Sequence, residues 1–167
     1  MNIKQTIMVQ ISDHEWTFEA LHCACLLARN TSASIALVKL IPVPHPGWLG
    51  TEWSYMNFTH QEQADFADYQ ATIEDYGVEL TPLVFQYVTL TEAIAQAAEH
   101  VNARLVLAKI PKSVIPFWTR FQRWSLNRQL NCQNRQWIQH PVYDTETLEV
   151  VIDAASEINN LTEHYIH

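Results

Sequence analysis

Lys109, Lys112, Arg120 and Arg123 follow a short apolar run, Leu105-Val106-Leu107-Ala108, and Ser125 closes the series. Ser12 and Asp13 follow another apolar run, Thr6 to Ile11. Cations and hydroxyls placed just beyond two buried strands suit one chemistry, the holding of an anionic group such as a phosphate. A phosphate loop normally achieves this with glycine-rich backbone, whose N–H groups can close around the oxygens. This chain has only three glycines and none after Gly77. Any anion site here would therefore rest on side chains.

Other chemistries find less support. The eight histidines are scattered, and none forms a pair with metal-ligand spacing. His164 and His167 read as part of a solvated tail. No Gly-x-Ser-x-Gly elbow or Cys/His pairing occurs. Asp13, His14 and Glu15 sit at a strand end where a catalytic group could lie, but a helix-entry turn uses the same residue types. No catalytic residue, metal or cofactor is expected. Cys23, Cys25 and Cys132 are odd in number and lack disulfide spacing, so they read as reduced thiols of a cytoplasmic protein. Neither a signal peptide nor an 18-residue apolar run is present.

The elements that must position the basic series follow from periodicity. Thr6 to Ile11 reads as a strand. A helix follows from Trp16 or Thr17 to Arg29, with Thr17 as N-cap and Phe18, Leu21, Cys25 and Ala28 on its buried face. Ser34 to Leu40 is a second strand, stopped by Pro42-Val43-Pro44-His45-Pro46-Gly47. Trp48 to Phe58 is aromatic and irregular. Gln61 to Tyr76 forms a helix offering either Ala64, Ala67 and Ala71 or Phe66, Tyr69 and Ile73, with Gly77 closing it. A third strand starts near Pro82. Thr89 and Glu92 have the spacing of a capping box, ahead of a helix that buries Ile94, Ala98 and Val101. Leu105 to Ala108 is a fourth strand, covered on both faces.

Beyond it, Lys109 to Pro116 is extended. Phe117, Phe121 and Trp124 share one helical face, whereas Leu126 and Leu130 fall on roughly the opposite side. One amphipathic helix fits that pattern poorly, so a break is expected at Ser125, capping a second helix from Leu126 to Cys132. Arg135 to Gln139 is a fifth, edge strand. Thr145 to Leu161 is a C-terminal helix. The whole is α/β: a doubly wound, five-stranded parallel sheet flanked by helices, Rossmann-like, with an extra C-terminal helix. Residues 1–141 form the domain, and residues 142–167 form an acidic helical extension packed on it.

With the elements in this order, the chain resembles the universal stress proteins, within the adenine-nucleotide α-hydrolase-like group, over about residues 4–141. The resemblance is carried by Thr89-Leu90-Thr91-Glu92-Ala93-Ile94 and Ala103-Arg104-Leu105-Val106-Leu107. The family commonly reads Gly-Asp-Pro-x-Glu-x-Ile and Ala-Asp-Leu-Ile-Val there. The first strand and helix also follow its pattern. Nucleotide-binding members carry an Asp where this chain has Ser12. They carry Gly-x2-Gly-x9-Gly-Ser/Thr where it has about Lys109, Lys112 and Gln122. The resemblance thus implies the fold and points to the branch without the ATP-binding glycine loop.

The net charge is -8, but unevenly spread. From Val101 to Tyr143 there is no Asp or Glu, and the stretch holds seven of the ten basic residues. From Asp144 onward there are six acids and no Lys or Arg. Either the acidic tail neutralises the basic segment, or the segment faces an anionic partner. Three functions stay open. The first is a non-catalytic stress or regulatory domain, homodimeric through the open edge of the fifth strand and acting through protein contacts. The second is a binder of a nucleotide or other anionic small molecule through Ser12, Asp13, Lys109, Lys112, Arg120, Arg123 and Ser125. The third is a membrane-surface or nucleic-acid contact through Phe117 to Trp124, where aromatics and arginines interleave. The acidic overall balance argues against nucleic acid. The first is the favoured reading.

Overall fold

A computed structural model describes residues 5–50 and 59–141. Five parallel strands form one sheet in the order β3-β2-β1-β4-β5. They are β1 (Thr6–Ile11), β2 (Ser34–Pro42), β3 (Leu80–Tyr87), β4 (Ala103–Leu107) and β5 (Gln136–Ile138). The helices are α1 (His14–Thr31), α2 (His60–Asp75), α3 (Leu90–His100) and α4 (Pro116–Cys132), and a single 3-10 turn covers Pro46–Trp48. The doubly wound α/β sheet expected from the sequence is present. The expected C-terminal helix, the tail's packing and most of the Trp48–Phe58 stretch lie outside the described residues.

Strand alternation sends successive side chains to opposite faces, and the core divides accordingly. On one face Ile7, Val9, Ile35, Leu37 and Leu107 meet α1 and α2 through Leu21, Cys25, Ala28, Tyr69 and Ile73. On the other, Met8, Val38, Val106 and Ala108 meet α3 and α4 through Ile94, Ala98, Leu126 and Leu130. In α2 it is the Phe66, Tyr69 and Ile73 side that faces inward. Both outer strands suit an edge. Pro82 lies within β3, where its missing N–H leaves no interior ladder position empty. β5 is three residues long and pairs with β4 alone among the described strands.

Three local expectations are corrected. Helix α1 begins earlier than Thr17: Asp13 is the N-cap, its carboxylate accepting from Trp16 N–H at 3.1 Å. Thr17 is instead buried inside the first turn, its hydroxyl accepting from Ser12 N–H and donating to Asp13 O. Thr89 is the N-cap of α3 but makes no side-chain cap bond, so no capping box forms there. A complete one occurs at Thr59 and Glu62, ahead of α2. Lastly, α4 does not break at Ser125. It runs unbroken because Leu126, Leu130 and Thr119 face the core, while Phe117, Phe121 and Trp124 face outward. Two apolar faces exist on one helix, and only one is buried among the described residues.

Candidate functional site

The place where such a sheet holds ligands lies beyond the strand C-termini, between the strands whose crossovers run to opposite sides. Here that is the gap between β1 and β4, which pair through Val9 and Leu107. Ser12 and Asp13 leave β1 on one side, and Ala108 and Lys109 leave β4 on the other. These are the first residues of the sequence-derived set, and the fold brings them together. There Asp13 and Lys109 bind each other, while Ser12 N–H is bonded to the Thr17 hydroxyl. Lys109 Nζ lies 2.5 Å from Asp13 Oδ2, across the mouth of the gap. The Lys109 hydrogen bond is the main reason the Asp13 carboxyl titrates below its ordinary value, with the Trp16 N–H helping.

The backbone after β4 is also occupied. Lys109 N–H donates to the side-chain oxygen of Gln10, a buried polar residue inside β1, at 3.0 Å. Ser113 N–H donates to the buried Thr119 hydroxyl at 2.8 Å. Ile115 N–H donates to Ser113 Oγ at 3.2 Å. Pro111 and Pro116 have no N–H to offer. At Lys109, Pro111, Ser113, Ile115 and Pro116, therefore, no backbone donor is free to cradle a phosphate. Two indoles brace the neighbouring strand ends: Trp137 Nε1 donates to Ala108 O at 2.9 Å, just past β4, and Trp16 Nε1 donates to Gln139 O at 3.0 Å, just past β5.

Beside the gap, over the ends of β1 and β2, lies a recess of about 240 Å³ lined by Ile11, Ser12, Lys39, Glu62, Asp65 and Tyr69. Lys39 Nζ pairs with Glu62 Oε1 at 2.7 Å, which holds the Glu62 carboxyl below its usual range. Asp65 lies 3.4 Å from His14 Nδ1, and Tyr69 Oη lies 3.3 Å from the same nitrogen. His14 is thus engaged with α2 and set edge-on to Phe18, at 4.8 Å between ring centres. Two carboxylates and one lysine make the recess a poor host for an anion.

The rest of the basic series is not gathered at the gap. Lys112 is exposed on the loop, and Arg120 is exposed on α4. Arg123 is half-buried, and Ser125 borders a groove between α3 and α4 with Trp124 and Arg128. Ser125 lies about 13 Å along the helix axis from Pro116. Among the described residues, no carboxylate pairs with Lys112, Arg120 or Arg123, and none of the His, Cys, Asp and Glu groups is arranged to hold a metal ion. No helix among them is long and apolar enough to cross a membrane.

Sequence reasoning missed Gln10, Thr119, Lys39 and Glu62. Gln10 carried a signal, as the one polar residue within the apolar stretch Ile7 to Ile11. Thr119 carried none, since a threonine between Trp118 and Arg120 looks like helix surface.

No protein-family model matches the chain, and no curated protein matches it in sequence. Solved structures do match it in fold. A universal stress protein-family member from Burkholderia pseudomallei superposes with a TM-score of 0.57 at 19% identity, over 85% of this chain and 99% of that one. A universal stress protein from Archaeoglobus fulgidus gives 0.53 at 16%, over 83% and 94%. A universal stress protein in complex with cAMP gives 0.53 at 13%, over 81% and 95%. The chain has the α/β fold of the universal stress proteins.

Proposed function

We propose that this chain is a non-catalytic domain of the universal stress protein kind, without an ATP site, acting in stress response or regulation through protein contacts. One observation carries the reading: five of the eight positions from Lys109 to Pro116 have no free backbone N–H to offer a phosphate. Lys109 N–H, Ser113 N–H and Ile115 N–H are bonded within the domain, and two further positions are prolines. The Lys109 ammonium is held by Asp13. A triphosphate entering the gap would have to break that ion pair and leave Asp13 facing its own negative charge. The outer edge of β5, unpaired among the described strands, is the surface on which two copies would pair, giving a homodimer.

Calorimetric titration with ATP, beside a glycine-loop universal stress protein as control, tests the reading. No heat where the control binds is the expected result. Saturable micromolar binding would overturn it. Sedimentation velocity tests the dimer, and a monomer at high micromolar concentration would remove that part.

A second reading, an anion held by side chains alone, draws on Lys112 and Arg120. Both are exposed and carry no carboxylate partner among the described residues. A structural neighbour is a cAMP complex, so cAMP belongs in the same titration. Binding through these side chains would weaken steeply with salt.

A further inference from the structure

Helix α4 presents a second apolar face with nothing of the described domain upon it. Phe117, Phe121 and Trp124 recur at helical spacing with Trp118 beside them, on the side away from the buried Leu126 and Leu130. Phe117 is 76% exposed and Trp124 57%. The helix is preceded by Val114, 99% exposed, and Ile115. The open parts of the four rings alone come to on the order of 500 Å², near the upper end of the largest apolar patch on an ordinary monomer. The rings are ordered among themselves. Phe121 lies 5.7 Å from Trp118 and 6.0 Å from Trp124 between centres, and the Arg128 guanidinium sits 5.4 Å from the centre of the Trp124 ring. Arg120 and Arg128, both exposed, border the rings, and Lys112 lies just ahead of the helix.

We propose that this face docks on an anionic lipid surface, with α4 lying in the plane of the headgroups. Its make-up is that of an interfacial helix, aromatic on the outward side and cationic at the margins. Three features favour lipid over other occupants. Charge is the first. Helix α4 itself carries no acid, so a second copy meeting this face helix to helix would set arginine against arginine, while Glu92 and Glu99 of α3 line the groove beside Trp124 and Arg128. Shape is the second. Val114 stands almost wholly free of the domain, and a fluid interface accommodates a projecting aliphatic tip without a matched pocket. Placement is the third. Val114, Ile115, Phe117 and Trp118 gather at one end of the helix, so the apolar tip and the first cations arrive together. The overall charge of -8 opposes approach to such a surface. Attachment therefore depends on the local cations and is sensitive to screening. The inference is independent of whether ATP binds at the strand ends.

Co-sedimentation of the full chain with vesicles of phosphatidylglycerol mixed into phosphatidylcholine, against phosphatidylcholine alone, tests it. The chain is expected to pellet with the anionic vesicles at low salt, with a blue shift of tryptophan emission, and to be released as salt rises. The double variant F121S/W124S should lose affinity by about tenfold or more. R120E/R128E should lose the preference for anionic lipid. All four side chains are exposed, so these variants should melt where the parent does, which separates docking from folding. Failure of the parent chain to pellet would overturn the proposal, as would unchanged binding by F121S/W124S. Self-association abolished by F121S/W124S would identify a second copy as the occupant, and binding of single-stranded DNA without vesicle binding would identify nucleic acid. Either would also overturn it.

Discussion

The strand ends and the outward face of α4 are built from similar residue types, yet among the described residues the former are bonded to one another and the latter is uncovered. At the β1/β4 gap, lysine meets carboxylate, amide N–H meets glutamine or threonine oxygen, and two indoles lock the flanking carbonyls. On α4, arginines border aromatic rings and find no carboxylate among the described residues. The contrast teaches where interaction energy remains to be gained. A ligand at the gap must displace bonds already made, and the expected net gain from exchanging one set for another is small. A partner on α4 removes apolar surface from water and gives up only hydration. Under the proposed reading, the bonds at the strand ends are structural, and the helix face is where binding energy remains to be gained.

The largest test of that contrast compares two side chains on the same helix. Leu126 is fully buried, and Phe121 faces outward. Leu126→Ala should cost about 2–5 kcal/mol in urea unfolding, through lost transfer energy and the cavity left behind. Phe121→Ala should cost no more than about 1 kcal/mol, since it loses only the exposed ring contacts with Trp118 and Trp124. Equal losses would mean that the outward face is covered in the isolated protein, and the comparison between the two regions would collapse.

How much of this was legible in the sequence follows from the same helix. The spacing of Phe117, Phe121 and Trp124 against Leu126 and Leu130 is a true feature of α4, but in sequence two apolar faces on one helix look like a break at Ser125. Periodicity reports which residues share a face; it does not report whether that face is covered. Strand order was legible because βαβ units admit few arrangements. Helix starts were less so. Ser, Thr and Asp all suit a cap, and only the geometry distinguishes Asp13, which caps, from Thr17, whose hydroxyl is turned inward. At the strand ends, the residue types of Ser12, Asp13 and Lys109 suggest an anion site, but the pairing of Asp13 with Lys109 depends on the β1/β4 crossover, which no local pattern encodes.

The closed region can itself be opened by degrees. Thr17→Val keeps the shape of the buried side chain and removes its hydroxyl. Ser12 N–H loses its acceptor and Asp13 O a donor, in the turn that presents Asp13 to Lys109. Asp13 O keeps the Thr17 backbone N–H, so a loss of about 1–3 kcal/mol is expected as the cost of leaving the partly buried Ser12 N–H unpaired. It should show as a lower midpoint in urea with an unchanged slope. A neutral result would place the rigidity of the gap in the indole and Gln10 contacts instead.

The smallest effect concerns the ion pair that closes the gap. Asp13→Asn preserves a side-chain oxygen for the Trp16 N–H cap and removes only the charge. Because the folded carboxyl titrates below its ordinary value, its contribution is fully present above the unfolded-state pKa. It is lost as pH falls through the depressed folded one. The parent should therefore exceed the Asn variant in stability at neutral pH, and the two should converge in acid, below the normal carboxylate range. With Asp13 about half exposed and Lys109 about a third, the difference should stay under about 1 kcal/mol. It should also shrink with salt, which separates a charge effect from any change in the cap. A difference that persisted in acid would mean that the N-cap, and not the Lys109 contact, is what Asp13 provides. The gap would then be held shut by its backbone bonds alone.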